Sequence, residues 1–262
     1  MNPTIVINDL TTGYGSVRKT PEIISSGLNG TLMPGQLTCL IGPNGAGKST
    51  LLRTLSGFQD AVSGEVKVNG VSISVMSRRT KASQLGVVLT DRPQMANTTV
   101  EELVALGRSP HTGFFGAPGS ADVDKVDDAI RLVGIEHLRS RRLPTLSDGE
   151  RQKAMIAKVI AQETPVIFLD EPTAFLDYPG KVEILTLLRR LAREEGKTVF
   201  LSTHDLEIAL RIADTAWLLD RKHGLTAGTP SALAAAGELR RYFPQLAGTE
   251  FDPTLIFSKE CR

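Results

Sequence analysis

Apolar and polar positions along the 262-residue chain follow two rhythms. Short, almost wholly apolar runs recur at 36–42 (QLTCLIG), 85–90 (LGVVLT), 165–170 (PVIFLD), 198–203 (TVFLST) and 215–220 (TAWLLD). Each is of strand length and too continuous to have a solvent-facing side. TIVINDL (4–10) reads as an early strand, and GEVKVNG (64–70) alternates apolar with polar, as a half-exposed antiparallel strand does. Helical periodicity fills the intervals: LLRTLSGF after residue 50, then VEELVALG, DVDKVDDAIRLVG and ERQKAMIAKVIAQ across about 98–164. Buried strands alternating with helices predict an α/β chain whose mostly parallel sheet is covered on both faces. HTGFFGAPGSAD (111–122) is loop-like, and after TAGTP (226–230) the stretch SALAAAGELRRYF predicts one helix followed by an irregular packing extension.

Composition narrows the class. With 41% hydrophobic and 23% charged residues, 24 Gly and 14 Pro, the chain is an ordinary globular one, long enough for one large domain or a core with a subdomain. Lys and Arg number 30 against 29 Asp and Glu, so no whole-molecule field recruits nucleic acid or anionic lipid. Cys39 lies in an apolar run and Cys261 far from it, which predicts a buried thiol in a reducing compartment, not a disulfide framework. MNPTIVINDL lacks the basic start and apolar core of a signal peptide, and no apolar stretch reaches the ~20 residues of a membrane helix. A cytosolic chain, held elsewhere only by a partner, is expected.

The chemistry begins at Gly42-Pro43-Asn44-Gly45-Ala46-Gly47-Lys48-Ser49, which fits the phosphate-binding loop pattern in full, with a strand before it and a helix after it. Its glycines let backbone N–H groups curl around phosphate oxygens at a helix start, with Thr50 next in line. Lys48 is expected to reach the terminal phosphates and the Ser49 hydroxyl to ligate Mg²⁺. VIFLDEP (166–172) supplies two carboxylates at the end of a buried strand. Successive strand residues point to opposite sides, so Asp170 and Glu171 should have different tasks: Asp170 holding Mg²⁺, Glu171 polarising the attacking water. His204 follows the strand TVFLS and belongs to the same sheet edge, within reach of a γ-phosphate. His111, His137 and His223 read as structural histidines.

LSDGERQ (146–152) poses a separate question. Ser147 and Glu150 form the capping box of a starting helix, but Gly149 in its first turn weakens that helix by about 1 kcal/mol relative to Ala. A helix start is a ready anion site, and a glycine there permits a close approach to the backbone.

Taken in order, the phosphate loop, LSDGE, LDEP, FLD (175–177) and STHD (202–205) resemble the ATP-binding subunits of ABC transporters, from Tyr14 to about residue 230. LSDGE looks like that family's signature motif, with Asp148 where Gly is commonest and Glu150 where Gln is common. The resemblance implies one ABC ATPase domain over 1–262: a P-loop NTPase core with an antiparallel β subdomain from 1–90 and 165–230, an α-helical subdomain from 91–164, and a C-terminal extension from 231–262. It implies two copies packed head to tail around two Mg²⁺-bound ATP, with Ser147, Gly149 and Glu150 of one facing the γ-phosphate held by Lys48 of the other. It also implies Tyr14 stacked on adenine, and Asp177 in a loop that crosses the dimer and helps align the attacking water.

One position departs from the family pattern. A Gln is usual about ten residues before the TV that opens the next helix; counting back from Val100 reaches Thr90, while Gln94 stands only six residues before it. Thr90 or Asp91 takes the metal and water contact, or the loop shifts to present Gln94, and Thr90 is the expected occupant.

DNA-repair and chromosome-organising relatives carry a long insertion between phosphate loop and signature, and ribosome-acting ones carry two phosphate loops; neither feature is present. ELVALGRSPH (102–111), DDAIRLVGIEHL (127–138) and LDEPTAFLDYP (169–179) resemble the ATPases of importers for iron–siderophore complexes, haem and vitamin B12. That resemblance implies an ATP hydrolase peripheral on the cytoplasmic face of the cell (inner) membrane. Its partners would be an integral membrane permease and, indirectly, a substrate-binding protein, with no nucleic acid. The permease is expected to dock around Thr90–Gly107 and the PHTGFFG loop, where Phe114 and Phe115 are either its anchors or a cap on the helical subdomain. The alternative is a soluble ATPase that regulates a protein or nucleic-acid partner.

Overall fold

The computed structural model describes residues 2–15, 20–89, 95, 97–112 and 119–244. β1 (Ile5–Tyr14) pairs with β2 (Glu22–Leu32), and β3 (Leu37–Ile41) runs through the glycine-rich loop into α1 (Lys48–Leu55). β4 (Ser63–Val68), β5 (Val71–Ser72), α2 (Arg78–Gln84) and β6 (Leu85–Val88) follow, then α3 (Val100–Ala105), α4 (Ser120–Leu132) and α5 (Asp148–Ala161). The chain continues through β7 (Val166–Asp170), α6 (Tyr178–Glu195), β8 (Thr198–Thr203), α7 (Leu206–Ile212), β9 (Thr215–Asp220) and β10 (Gly224–Gly228) to α8 (Pro230–Ala235) and α9 (Glu238–Tyr242). The architecture is α/β, with a six-stranded sheet ordered β10-β9-β3-β8-β7-β6 and a four-stranded antiparallel sheet ordered β2-β1-β4-β5. In the six-stranded sheet β10 alone runs antiparallel to its neighbour.

Strand alternation divides the core. Cys39, Ile41, Ile167, Leu169, Val199, Leu201, Ala216 and Leu218 face one cluster, which also takes buried residues from α3 to α7. The residues between them, Leu40, Phe168, Phe200, Trp217 and Leu219, face the other, with Leu51, Leu52 and Leu55 of α1 and the apolar side of the antiparallel sheet. Phe168 of β7, Phe200 of β8 and Trp217 of β9 meet edge to face over a span of four strands that includes β3, at 5.8 and 5.2 Å between ring centres. Each strand is thus apolar on both sides, which is why it reads as a continuous apolar run.

Several expectations change. β1 extends to Tyr14, well past TIVINDL, through irregular pairing with β2 between Ile7 and Gly13 that hides its alternation. Helix α1 begins at Lys48, inside the loop motif, and ends before Gly57, whose φ of +70° breaks it. The expected single C-terminal helix is two, because Gly237 adopts φ +75° between α8 and α9. β2, α2 and β10 were not evident in the sequence pattern. Thr90, Asp91, Gln94, Phe114, Phe115 and Cys261 lie outside the described residues; Cys39 is buried, and burial raises its thiol well above the usual range.

Candidate active site

Parallel register brings the carboxyl ends of three strands level: Asp170 pairs with Ser202, and Ile41 with Thr203. The phosphate loop, the two carboxylates and His204 therefore share one sheet edge, where an open α/β sheet receives ligands. Between the loop and that edge lies a cleft of about 620 Å³, lined by Tyr14, Asn44, Gly45, Gly47, Lys48, Ser49, Thr50, Asp170, Glu171 and His204. The size is that of an ordinary small-ligand site.

Gly47 caps α1 at φ +98°, and a methyl group there would lie 2.6 Å from the Ile24 side chain; backbone torsion and space both demand glycine. Lys48 Nζ donates to the carbonyls of Gly42 (2.8 Å) and Pro43 (3.3 Å) and stands 4.0 Å from Glu171 Oε1. Burial holds its pKa below the usual lysine value, partly offset by Glu171 and then Asp170. Gly42, Pro43 and Ala46 complete the loop, with the Ala46 N–H turned back to Pro43 O at 3.2 Å. Ser49 is exposed to the cleft, while buried Thr50 bonds the Tyr14 hydroxyl at 2.9 Å, leaving the Tyr14 ring half-exposed at the cleft wall.

Asp170 and Glu171 do not diverge as strand alternation implies. Asp170 ends β7, but Glu171 has φ +51°, a left-handed turn that brings both carboxylates into one cleft. Ser202 secures the pair: its hydroxyl donates to Asp170 Oδ1 at 2.6 Å and accepts from the Glu171 N–H at 3.0 Å. Glu171 Oε2 lies 2.7 Å from His204 Nδ1, so His204 contacts the carboxylate directly, a partner the sequence did not indicate. Ser202 was also missed, because its role depends on β7–β8 register. His111 and His223 are satisfied structurally, by Gln162 O at 2.8 Å and by Asp220 Oδ2 at 2.6 Å.

A second cleft, of about 530 Å³, gathers Ser147, Gly149, Glu150 and Asp177. The capping box is formed on both sides: Ser147 N–H donates to Glu150 Oε2 (2.7 Å), and Glu150 N–H to Ser147 Oγ (3.3 Å). The backbone bond from Ser147 is the main reason the Glu150 carboxyl titrates below its usual value. Gly149 has an internal explanation beside any ligand, since a methyl group there would lie 3.2 Å from Leu176 Cδ2 and 3.4 Å from Phe175 O. Asp177 caps α6 through a 3.0 Å bond from the Gly180 N–H. A third hollow, of about 430 Å³, lies at the edge of the α-helical region, with apolar Phe58 and Leu106 and the cations Arg78, Lys81 and Lys158 around it.

Among the described residues no three His, Cys, Asp or Glu side chains gather as a metal site, and no helix is long and apolar enough to cross a membrane. The donor set of the first cleft, one buried carboxylate and one free hydroxyl beside a phosphate loop, suits a metal that arrives on a nucleotide.

Residues 25–174 match the ABC transporter family. The ferric enterobactin transport ATP-binding protein FepC of Escherichia coli is 37% identical over 234 residues, covering 89% of this chain and 84% of that protein. The iron(3+)-hydroxamate import ATP-binding protein FhuC of Bacillus subtilis is 34% identical over 247 residues, covering 94% and 92%. Among solved structures, cbiO1 from Clostridium perfringens, part of the ABC transporter complex cbiONQ, superposes with a TM-score of 0.76 at 27% identity, covering 94% of this chain and 98% of that one. The dimeric MJ0796 cassette shares the fold at a TM-score of 0.77 and 23% identity, over 86% and 98% of the two chains. With the loop, the carboxylate pair and the histidine assembled at one sheet edge, and relatives of this identity along nearly its whole length, the chain belongs to the ABC transporter family as one of its ATP-binding, ATP-hydrolysing subunits.

Proposed function

We propose that this chain drives an importer for an iron–siderophore complex, haem or cobalamin, two copies closing head to tail around two Mg²⁺-bound ATP and moving a separate membrane permease on the cytoplasmic face. The observation that carries the reading is the Glu171 carboxylate, held beside Lys48 and His204 at the mouth of the phosphate loop. Glu171 accepts the proton of the attacking water, and His204 keeps that carboxylate aimed while offering its other ring nitrogen to the phosphate side. Lys48 leaves its loop carbonyls for the β- and γ-phosphates; Tyr14 stacks on the base. Ser49 and Asp170 would hold Mg²⁺, which would supply neutralisation of charge on the phosphates. Among Thr90, Asp91 and Gln94, Thr90 is the residue assigned to a further metal and water contact. In the partner, Ser147, Gly149, Glu150 and Asp177 meet the γ-phosphate side of the same ATP. Residues 91–164 form a helical subdomain carrying the signature motif beside the nucleotide-binding core of 1–90 and 165–230.

The cargo class is supported by the names of two relatives, the ferric enterobactin transport ATP-binding protein FepC and the iron(3+)-hydroxamate import ATP-binding protein FhuC. The permease contact is supported by the hollow at Phe58 and Leu106, exposed apolar side chains rimmed by cations, which suits an amphipathic helix with an acidic residue. A substrate-binding protein acts through that permease, without touching this chain. Fractionation of host cells tests the assignment. The chain is expected in the membrane pellet with a polytopic protein, and Phe58→Asp with Leu106→Asp is expected to release it. A chain recovered only from the supernatant, with no membrane partner, contradicts the reading and favours a soluble regulatory ATPase.

A further inference from the structure

The end of β9 and the turn after it press on the phosphate loop at two points. At Gly42 an added methyl group would lie 2.2 Å from Leu219 O, so the end of β9 abuts the loop backbone. At Gly45, Arg221 Nε donates to the carbonyl oxygen at 3.0 Å. Arg221 also lines the nucleotide cleft, and among the described residues the guanidinium makes no other hydrogen bond or ion pair.

The turn is built to hold that arginine. Asp220 Oδ1 accepts from the backbone N–H groups of Lys222 (2.9 Å) and His223 (2.5 Å), and Oδ2 meets His223 Nδ1 at 2.6 Å. From α9, the Tyr242 ring packs 5.4 Å from the His223 ring. The gripped carbonyl belongs to the same rigid peptide as the Ala46 N–H, which bonds Pro43 O at 3.2 Å. Arg221 and Pro43 therefore hold the two ends of one peptide plane, in a loop whose glycines at 45 and 47 adopt φ of +79° and +98°.

We propose that Arg221 is a positioning residue for nucleotide binding, clamping the Gly45–Ala46 peptide so that the loop meets the phosphates already ordered. The proposal rests on the reading of this cleft as the ATP site. An ordered loop loses less conformational freedom on binding. Because the clamp serves ground state and transition state alike, its loss belongs in KM and not in kcat.

Full-length Arg221→Ala and Arg221→Lys test this by steady-state Mg²⁺·ATP hydrolysis, equilibrium ADP binding and thermal melting. Arg221→Ala is expected to raise KM for ATP and Kd for ADP roughly three- to tenfold, the worth of one charge-assisted bond at an exposed site, with kcat within about twofold. Arg221→Lys, which keeps the charge and one donor, is expected to recover part of the loss. Unchanged KM and Kd overturn the proposal. So does a lowered melting temperature with reduced kcat and unchanged KM, since that is a merely structural role. Wild-type protein without ATP hydrolysis instead sinks the reading of the cleft.

Discussion

At Glu171 one backbone torsion decides where a carboxylate goes. A left-handed conformation disfavours a non-glycine residue by about 1–2 kcal/mol, and here it turns Glu171 off the strand line towards Lys48 and His204. Glu171→Gln removes the proposed proton acceptor but keeps the shape. It is expected to lower kcat by about 10²–10⁴-fold with ATP affinity little changed, measured by phosphate release beside nucleotide binding. A kcat within about tenfold of wild type removes Glu171 from the role of base. The capping box makes a second prediction. Ser147→Ala is expected to destabilise the fold by about 1 kcal/mol in urea titrations. The bond from Ser147 depresses the Glu150 pKa on folding, so that part of the stability is present above the usual glutamate pKa and is lost as pH falls through the folded value. The stability gap between wild type and Glu150→Gln should therefore close on acidification; a gap that widens contradicts the assignment. At this scale the phosphate loop and the Asp170–Glu171 pair were legible because consecutive residues carry their chemistry, and His204 by its place after a strand, though its contact with Glu171 was not. Ser202 and Arg221 were not, because each acts on a loop or strand far away in sequence and is found only through register.

The elements read well where burial is two-sided. β3, β7, β8 and β9 are apolar on both faces and stood out as continuous runs. β2, EIISSGLNGTL, is half-exposed and interrupted at Gly27, whose φ is +67°, so neither continuity nor alternation marks it. α2 buries no residue and β10 is a short edge strand, which leaves both without a hydrophobic signature. The helical region depends on a close crossing that no periodicity reveals. At Gly107, just past α3, an added methyl group would lie 2.2 Å from Lys158 O of α5, backbone that a rotamer change cannot move. Gly107→Ala is expected to destabilise by about 1–3 kcal/mol, read from the urea midpoint; an unchanged midpoint means the two segments are not held so closely.

The molecule presents two separate clefts, which the proposed function pairs as the halves of a site shared between two copies. The phosphate loop with Glu171 lines one cleft, while Ser147, Gly149 and Asp177 line another. Sequence order alone revealed both motifs, and the resemblance to ABC ATPases supplied the second copy; nothing in the periodicity of one chain could supply it. Closure shifts a population only as far as ATP binds the closed pair more tightly than the open one, so blocking hydrolysis should make the pair visible. The most direct test is light scattering on Glu171→Gln protein with and without Mg²⁺·ATP, beside the same protein carrying Ser147→Arg. An ATP-dependent shift from monomer to dimer is expected in the first and none in the second. A monomer at saturating ATP, with nucleotide binding demonstrated in the same sample, contradicts an ATP sandwich formed by this chain alone.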